Sequence, residues 1–202
     1  IIRRMIIAKI PISVVEVRTE IFKYFIDLDI MSGCAITLGT LRKIADIIHN
    51  CMKKECVGLQ SQTSQLNLTQ YGYMAQPREL PNRSCVKTGV HIYYPDLHTN
   101  SEQALELRKR LIVCFKCIPE FDMLNWEQVI DDSVYKTSGL RLPHIPKLKK
   151  CKCQKINGDC QFGCTFGVIN ENAVYLPEWS IPGSVEKLKN NLKQHKENLL
   201  TI

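Results

Sequence analysis

Two carboxylates set two residues apart inside an apolar run are the first feature of this sequence that could do chemistry. They stand in Phe25-Ile26-Asp27-Leu28-Asp29, within the stretch Ile21 to Ile30. Side chains alternate across a strand, so Asp27 and Asp29 are predicted to share one face, roughly 6–7 Å apart along it. Anions held that close repel each other and are costly on a buried strand unless a cation sits between them. A divalent-metal site is one reading. The other ends the strand at Asp27 and leaves Asp29 solvated in a turn or capping a helix. The pair alone does not choose.

A second run, Cys85 to Tyr94, alternates in an informative way. Val86, Thr88, Val90, Ile92 and Tyr94 fall on one side; Lys87, Gly89, His91 and Tyr93 fall on the other. A cation, an absent side chain and an imidazole on one face offer charge to a phosphate and room for close backbone approach. A structural role for the histidine is the alternative. Further on, Trp126 to Asp132 is a short apolar approach to the paired Asp131-Asp132. After it come Val134-Tyr135, the turn Thr137-Ser138-Gly139, the segment Leu140-Arg141-Leu142-Pro143, and a basic run with Lys147, Lys149, Lys150 and Lys152. A carboxylate followed closely by Arg and Lys suits metal plus triphosphate. By itself it also reads as a surface hairpin with a basic tail. Cys151, Cys153, Cys160 and Cys164 could supply four thiolates to tetrahedral zinc, although the C-x-C start is tighter than the usual spacing. Free thiols, or a disulfide formed on oxidation, are the other readings.

These groups need elements to position them. The segment to Val17 reads as a strand-like lead-in, and Ile21 to Asp29 as the central strand. Thr40 is expected to cap a helix with the apolar stripe Leu41, Ile44, Ile48, Cys51 and Met52, covering one face of the sheet. Gly58 to Asn82 is polar and reads as strand and loop. In it, Tyr71 and Tyr73 are expected to pack on the sheet, with stacking on a nucleic-acid base as the second reading. Pro95 is expected to end the second strand, and Thr99 with Glu102 to form a capping box for a helix with the stripe Ala104, Leu107, Leu111 and Phe115. Arg108, Lys109 and Arg110 should then form a solvated face. Pro182-Gly183-Ser184 should open a terminal helix.

With 202 residues, 45% apolar and 23% charged, the chain suits one compact domain of ordinary globular composition. A formal net charge of +7 favours polyanionic partners. No stretch approaches the ~20 apolar residues of a membrane helix, and Arg3, Arg4 and Lys9 interrupt any signal-like run. Ten cysteines without a secretory signal point to a reducing compartment. The chain opens on Ile1, so it reads as an excerpt, with residues 1–150 as the core, 151–176 as a Cys-rich element and 177–202 leading toward a further module.

The order of the motifs resembles the archaeo-eukaryotic primase superfamily, which includes the primase-polymerases. Those motifs are Asp27-x-Asp29 on a strand, Lys87-Thr88-Gly89-Val90-His91 on a strand, then Ile130-Asp131, Val134-Tyr135, Arg141 and Lys147. Gly89-Val90-His91-Ile92-Tyr93-Tyr94-Pro95 and Ser138-Gly139-Leu140-Arg141-Leu142-Pro143 are similar to the primase domain at the front of the viral primase-helicases of poxviruses and African swine fever virus. The resemblance covers about Phe25 to Lys147. It implies an α/β fold with a mixed sheet, an RRM-like catalytic half and helices on the outer faces; many members carry a zinc element where the cysteine cluster lies, but its spacing varies so much that the match adds little to the zinc reading. It also implies Mg²⁺ or Mn²⁺ held by Asp27, Asp29 and Asp131, and nucleotide contacts from Lys87, Gly89, His91, Arg141 and Lys147. Single-stranded DNA template and nucleoside triphosphates are the implied partners, with a helicase module in the parent chain and primer synthesis in viral DNA replication as the implied activity. A cytoplasmic location is expected only through the viral resemblance. Gly89 departs from the serine usual in the family, which costs a hydroxyl contact, and Asp132 beside Asp131 leaves the register of the third carboxylate open.

Two rival functions follow from the same residues. The haloacid-dehalogenase-type phosphohydrolases also begin with Asp-x-Asp after a strand, but they favour Thr or Val where Met31 stands and Gly where Ile30 stands. A non-catalytic nucleic-acid-binding module on a degenerate primase fold is kept open by Gly89.

Overall fold

The computed structural model describes residues 15–16, 19–59, 68–80, 83–136, 139–143, 147–149, 155–156, 159–160, 168–170 and 174–182. In chain order the elements are β1 (Val15–Glu16), β2 (Phe22–Ser32), α1 (Leu38–Leu59), β3 (Gln70–Ala75), β4 (Arg78–Leu80) and β5 (Cys85–Thr99). There follow α2 (Ser101–Lys116), the short turns of helix α3 (Trp126–Val129) and α4 (Ser133–Lys136), and β6 (Leu140–Arg141). The chain continues through β7 (Lys147–Lys149), β8 (Lys155–Ile156), β9 (Asp159–Cys160), β10 (Val168–Asn170) and β11 (Tyr175–Ile181).

The main sheet runs β11-β3-β5-β2, with β4 alongside β5. Its strands pair antiparallel throughout, so the class is α/β as expected but the described sheet is antiparallel, not mixed. The long strand β5 is its centre, and β2, expected there, flanks it. Strand β2 is two-faced because its sequence alternates: Tyr24, Ile26, Leu28 and Ile30 are buried, while Asp27 and Asp29 are only partly so. On β5 the matching core face is Thr88, Val90, Ile92 and Tyr94.

The stripes of α1 (Leu41, Ile44, Ala45, Ile48, Met52) and α2 (Ala104, Leu107, Leu111, Ile112, Phe115) join that face in one apolar cluster. Each large side chain so buried contributes ~1.5–3 kcal/mol. Cys51 is only partly buried, its thiol meeting that of Cys114 at 2.7 Å.

Several boundaries differ from expectation, each for a local reason. Helix α1 starts one turn early because Thr37, not Thr40, accepts from the Thr40 backbone N–H at 3.1 Å. The capping box of α2 is Asn100 with Gln103, one residue later than expected, since Thr99 still belongs to β5. Strand β5 passes through Pro95, where the register against β2 jumps from Tyr24↔Tyr94 to Lys23↔His98. A residue without an N–H is tolerated at such a bulge.

Strand β11 joins the main sheet by pairing with β3, so it spans the expected 176/177 boundary. Its Trp179 lies on Gly72, where an added Cβ would come within 1.9 Å of the indole. Gln70, wholly buried, ties the layers together: its amide donates to the Ala45 carbonyl and the Tyr94 hydroxyl, and it accepts from the Trp179 indole at 2.9 Å.

Three ligands of the expected zinc site, Cys151, Cys153 and Cys164, lie outside the described residues, and Cys160 is described as backbone in the β8–β9 pair. The expected terminal helix also lies outside them. No described helix is long and apolar enough to cross a membrane.

Candidate active site

The β2–β5 register decides what faces what. Asp27 stands opposite His91, Asp29 opposite Gly89 and Met31 opposite Lys87, so the two predicted groups of chemistry-bearing residues become a single surface. Lys87 forms an ion pair with Asp29. The His91 Nε2 lies 3.6 Å from Asp27 Oδ1 and is almost wholly buried. Burial, then the nearby Arg141 charge, lowers the His91 pKa to about 3, against a hydrogen bond to the Arg141 backbone that raises it. The imidazole is therefore neutral, and its approach to Asp27 is not an ion pair.

Asp131 is delivered by α3 and the residue after it. Ile130 makes an isolated antiparallel bridge with Leu28, and the Asp131 N–H donates to the Asp27 carbonyl at 3.0 Å. Arg108, expected on a solvated face, holds this segment instead: it donates to the carbonyls of Ile130 at 2.7 Å and Glu127 at 2.6 Å. On the far side, the buried Tyr135 hydroxyl bonds the Phe25 carbonyl. Asp131 sits against Asp27, whereas Asp132 pairs with Lys136 at 2.7 Å.

Charge crowds at Asp27. Burial first, then Asp29 and Asp131, raise its pKa to about 8, offset in part by Lys87 and Arg141. Its Oδ1 is buried without a hydrogen-bond partner. Among the described residues no three His, Cys, Asp or Glu side chains already converge on a metal-sized site. The other two carboxylates are engaged: Asp29 by Lys87, and Asp131 by the Ser133 N–H and hydroxyl, both at 2.9 Å. An orphaned buried carboxylate oxygen near two further carboxylates is nevertheless an all-oxygen donor set, of the kind a hard divalent ion prefers.

Arg141 arrives by another route. Gly139 adopts φ 64°, a left-handed turn open to glycine, and β6 pairs with β1, opposing Arg141 to Val15. The guanidinium lies 4.9 Å from the ring centroid of Tyr175 on β11. Tyr175 in turn stacks on His91 at 3.5 Å. Motif reading does not find this residue: it stands more than thirty positions beyond Arg141 in the chain, and only the β11–β3 pairing brings it over. Tyr73 is buried beside Tyr93 and Tyr175, and Tyr71 packs on the same cluster, in keeping with the sheet-packing reading. Lys147 is described as backbone, opposite Asn170 of β10; the position of its side chain lies outside the described residues.

A strand carrying Asp27 and Asp29, a neighbouring strand carrying Lys87, Gly89 and His91, and a bridged Asp131 make up the motif order of the primase superfamily in three dimensions. The C962R protein N-terminal AEP (archaeo-eukaryotic primase) domain family matches residues 2–145. The chain belongs to that family. No curated protein and no solved structure matches it. The AEP match contains every site residue named above except Lys147 and Tyr175, and it agrees with the viral primase resemblance carried by the motifs.

Proposed function

We propose that this AEP domain is a metal-dependent nucleotidyltransferase that makes primers on single-stranded DNA. The observation that carries the reading is Asp27: a largely buried carboxylate, crowded by Asp29 and Asp131 and left with an unbonded oxygen, beside a wall of Lys87, His91 and Arg141. Asp27 and Asp29, with Asp131 alongside, would hold Mg²⁺ or Mn²⁺. When bound there, such an ion would lower the pKa of the attacking 3′-hydroxyl and would neutralise charge on the α-phosphate and the leaving pyrophosphate. The side chains do the rest by position and charge. Lys87 and Arg141 offer cations to the triphosphate, a role the resemblance extends to Lys147. His91, kept neutral by burial, serves as an oriented hydrogen-bonding group and not as a charge. The backbone bond from Asp131 to Asp27 sets the spacing of their carboxylates.

A non-catalytic binding module is favoured by one observation, that Lys87 already closes on Asp29 and Tyr175 on His91. Incubation with single-stranded DNA, labelled nucleotides and Mg²⁺ or Mn²⁺ separates the two. Short products are expected, reduced about a hundredfold or more in Asp27→Ala and Asp131→Ala. Wild-type protein that binds DNA but neither makes product nor binds nucleotide is the binding module.

A further inference from the structure

Tyr175 lies at the middle of the site wall. It is 5% exposed. One face of its ring is stacked on the His91 imidazole at 3.5 Å and 20°, and the Arg141 guanidinium carbon stands 4.9 Å from the ring centroid. The ring comes from β11, where Tyr175 is paired with Ala75 of β3. It crosses that small residue to reach β5.

Where it ends is the informative part. A Cβ built on Gly89 would stand 2.7 Å from the Tyr175 hydroxyl and 3.4 Å from the ring carbon that bears it. The hydroxyl therefore occupies the space of the side chain that Gly89 lacks. Asp29 lies opposite Gly89 and Asp27 opposite His91, so the phenol is presented to the carboxylate face. Burial, with Asp27 and Asp29 acting on it, raises its pKa, which keeps it a protonated donor.

A phenol hydroxyl between an arginine and a lysine-bearing strand suits an acceptor that carries negative charge. We infer that Tyr175 is a nucleotide-contacting residue: its hydroxyl, admitted by Gly89, hydrogen-bonds a phosphate oxygen of the incoming nucleoside triphosphate, while its ring holds His91 and Arg141 in register. The inference rests on the nucleotidyltransferase reading.

The test exchanges the hydroxyl between the two positions in the 202-residue chain, with nucleotide KM and binding of a fluorescent nucleoside triphosphate as readouts. Tyr175→Phe keeps the stack and removes the donor, so KM should rise about tenfold or more with the melting temperature little changed. Gly89→Ser drives a Cβ into the hydroxyl and should weaken nucleotide binding at least as much. In the Gly89→Ser/Tyr175→Phe protein the obstructing oxygen is gone and serine returns a hydroxyl to the same face. Most of the lost affinity should then return, which a merely structural role for Tyr175 does not predict. Wild-type KM in Tyr175→Phe, or losses in the double variant that simply multiply, overturns the inference while leaving the enzyme reading intact. A wild-type protein that neither binds nucleotide nor makes product removes both.

Discussion

At the residue scale Asp27 is expensive for the fold, and its cost can be titrated. Its ordinary pKa of 3.8 is raised to about 8. Between those values the folded protein keeps a proton that the unfolded chain has released, so stability falls as pH rises through the window. His91 acts in the opposite sense. Its ordinary 6.5 is lowered to about 3, so the unfolded chain binds a proton that the fold refuses, and stability rises with pH across that range. The two slopes oppose each other between pH 3.8 and 6.5, and Asp27 acts without His91 from there to about 8. Thermal melts in metal-free buffer should therefore decline over that upper window. Asp27→Asn should flatten the decline, a difference on the order of 2 kcal/mol. Mg²⁺ or Mn²⁺ should raise the melting temperature more near pH 8 than near pH 6, because ion and proton compete for one carboxylate. Equal shifts at both pH values would take Asp27 out of the metal set.

At the scale of elements, two contacts hold the site's parts together. Arg108 of α2 secures the segment carrying Asp131 through two backbone carbonyls. Arg108→Ala leaves both without that donor and is expected to cost ~1–3 kcal/mol. Product formation should fall further than stability does, since Asp131 loses its support; activity unchanged at a lowered melting temperature would make the clamp structural only. Strand β11 depends on Gly72, over which Trp179 lies within 1.9 Å of a notional Cβ. Gly72→Ala should destabilise by ~1–3 kcal/mol or more, measured by urea unfolding, because the indole is also bonded to Gln70. Gly33, with nothing within 4 Å, is the control: Gly33→Ala should unfold close to wild type. The strand periods and helix stripes around these contacts can be read from the sequence, because Tyr24 to Ile30 and Leu41 to Met52 repeat at the spacing of their own backbone. Arg108 escapes such reading for the complementary reason. Its position on the helix looks solvent-facing, and only α3 and the bridged residue after it bring carbonyls to it.

Across the whole molecule, the net charge of +7 and a site that gathers Lys87 and Arg141 predict a strong electrostatic share in template binding. Affinity for single-stranded DNA should fall linearly on a log–log plot against salt, with a slope of about −0.7 per phosphate neutralised. A flat salt dependence would assign the excess charge to some other role. The five-stranded antiparallel sheet also explains how the parts cooperate. Its helix-covered face supplies the core, and its other face displays Asp27, Asp29, Lys87, Gly89 and His91, so stability and the proposed chemistry fall on alternate residues of the same two strands.

That alternation is what the sequence determines alone. A period of two is built into any extended backbone, so the face shared by Asp27 and Asp29, and the one shared by Lys87, Gly89 and His91, are legible in the order of residues itself, as is the succession of motifs that marks the family. Tertiary structure decides three things: that those two faces are one, through the β2–β5 register; that Asp131 and not Asp132 adjoins Asp27; and that Tyr175 fills the gap at Gly89. Each joins residues distant in the chain. Their juxtaposition is set by which pairings bury the most apolar surface and satisfy the most backbone groups, a global balance that no local pattern records.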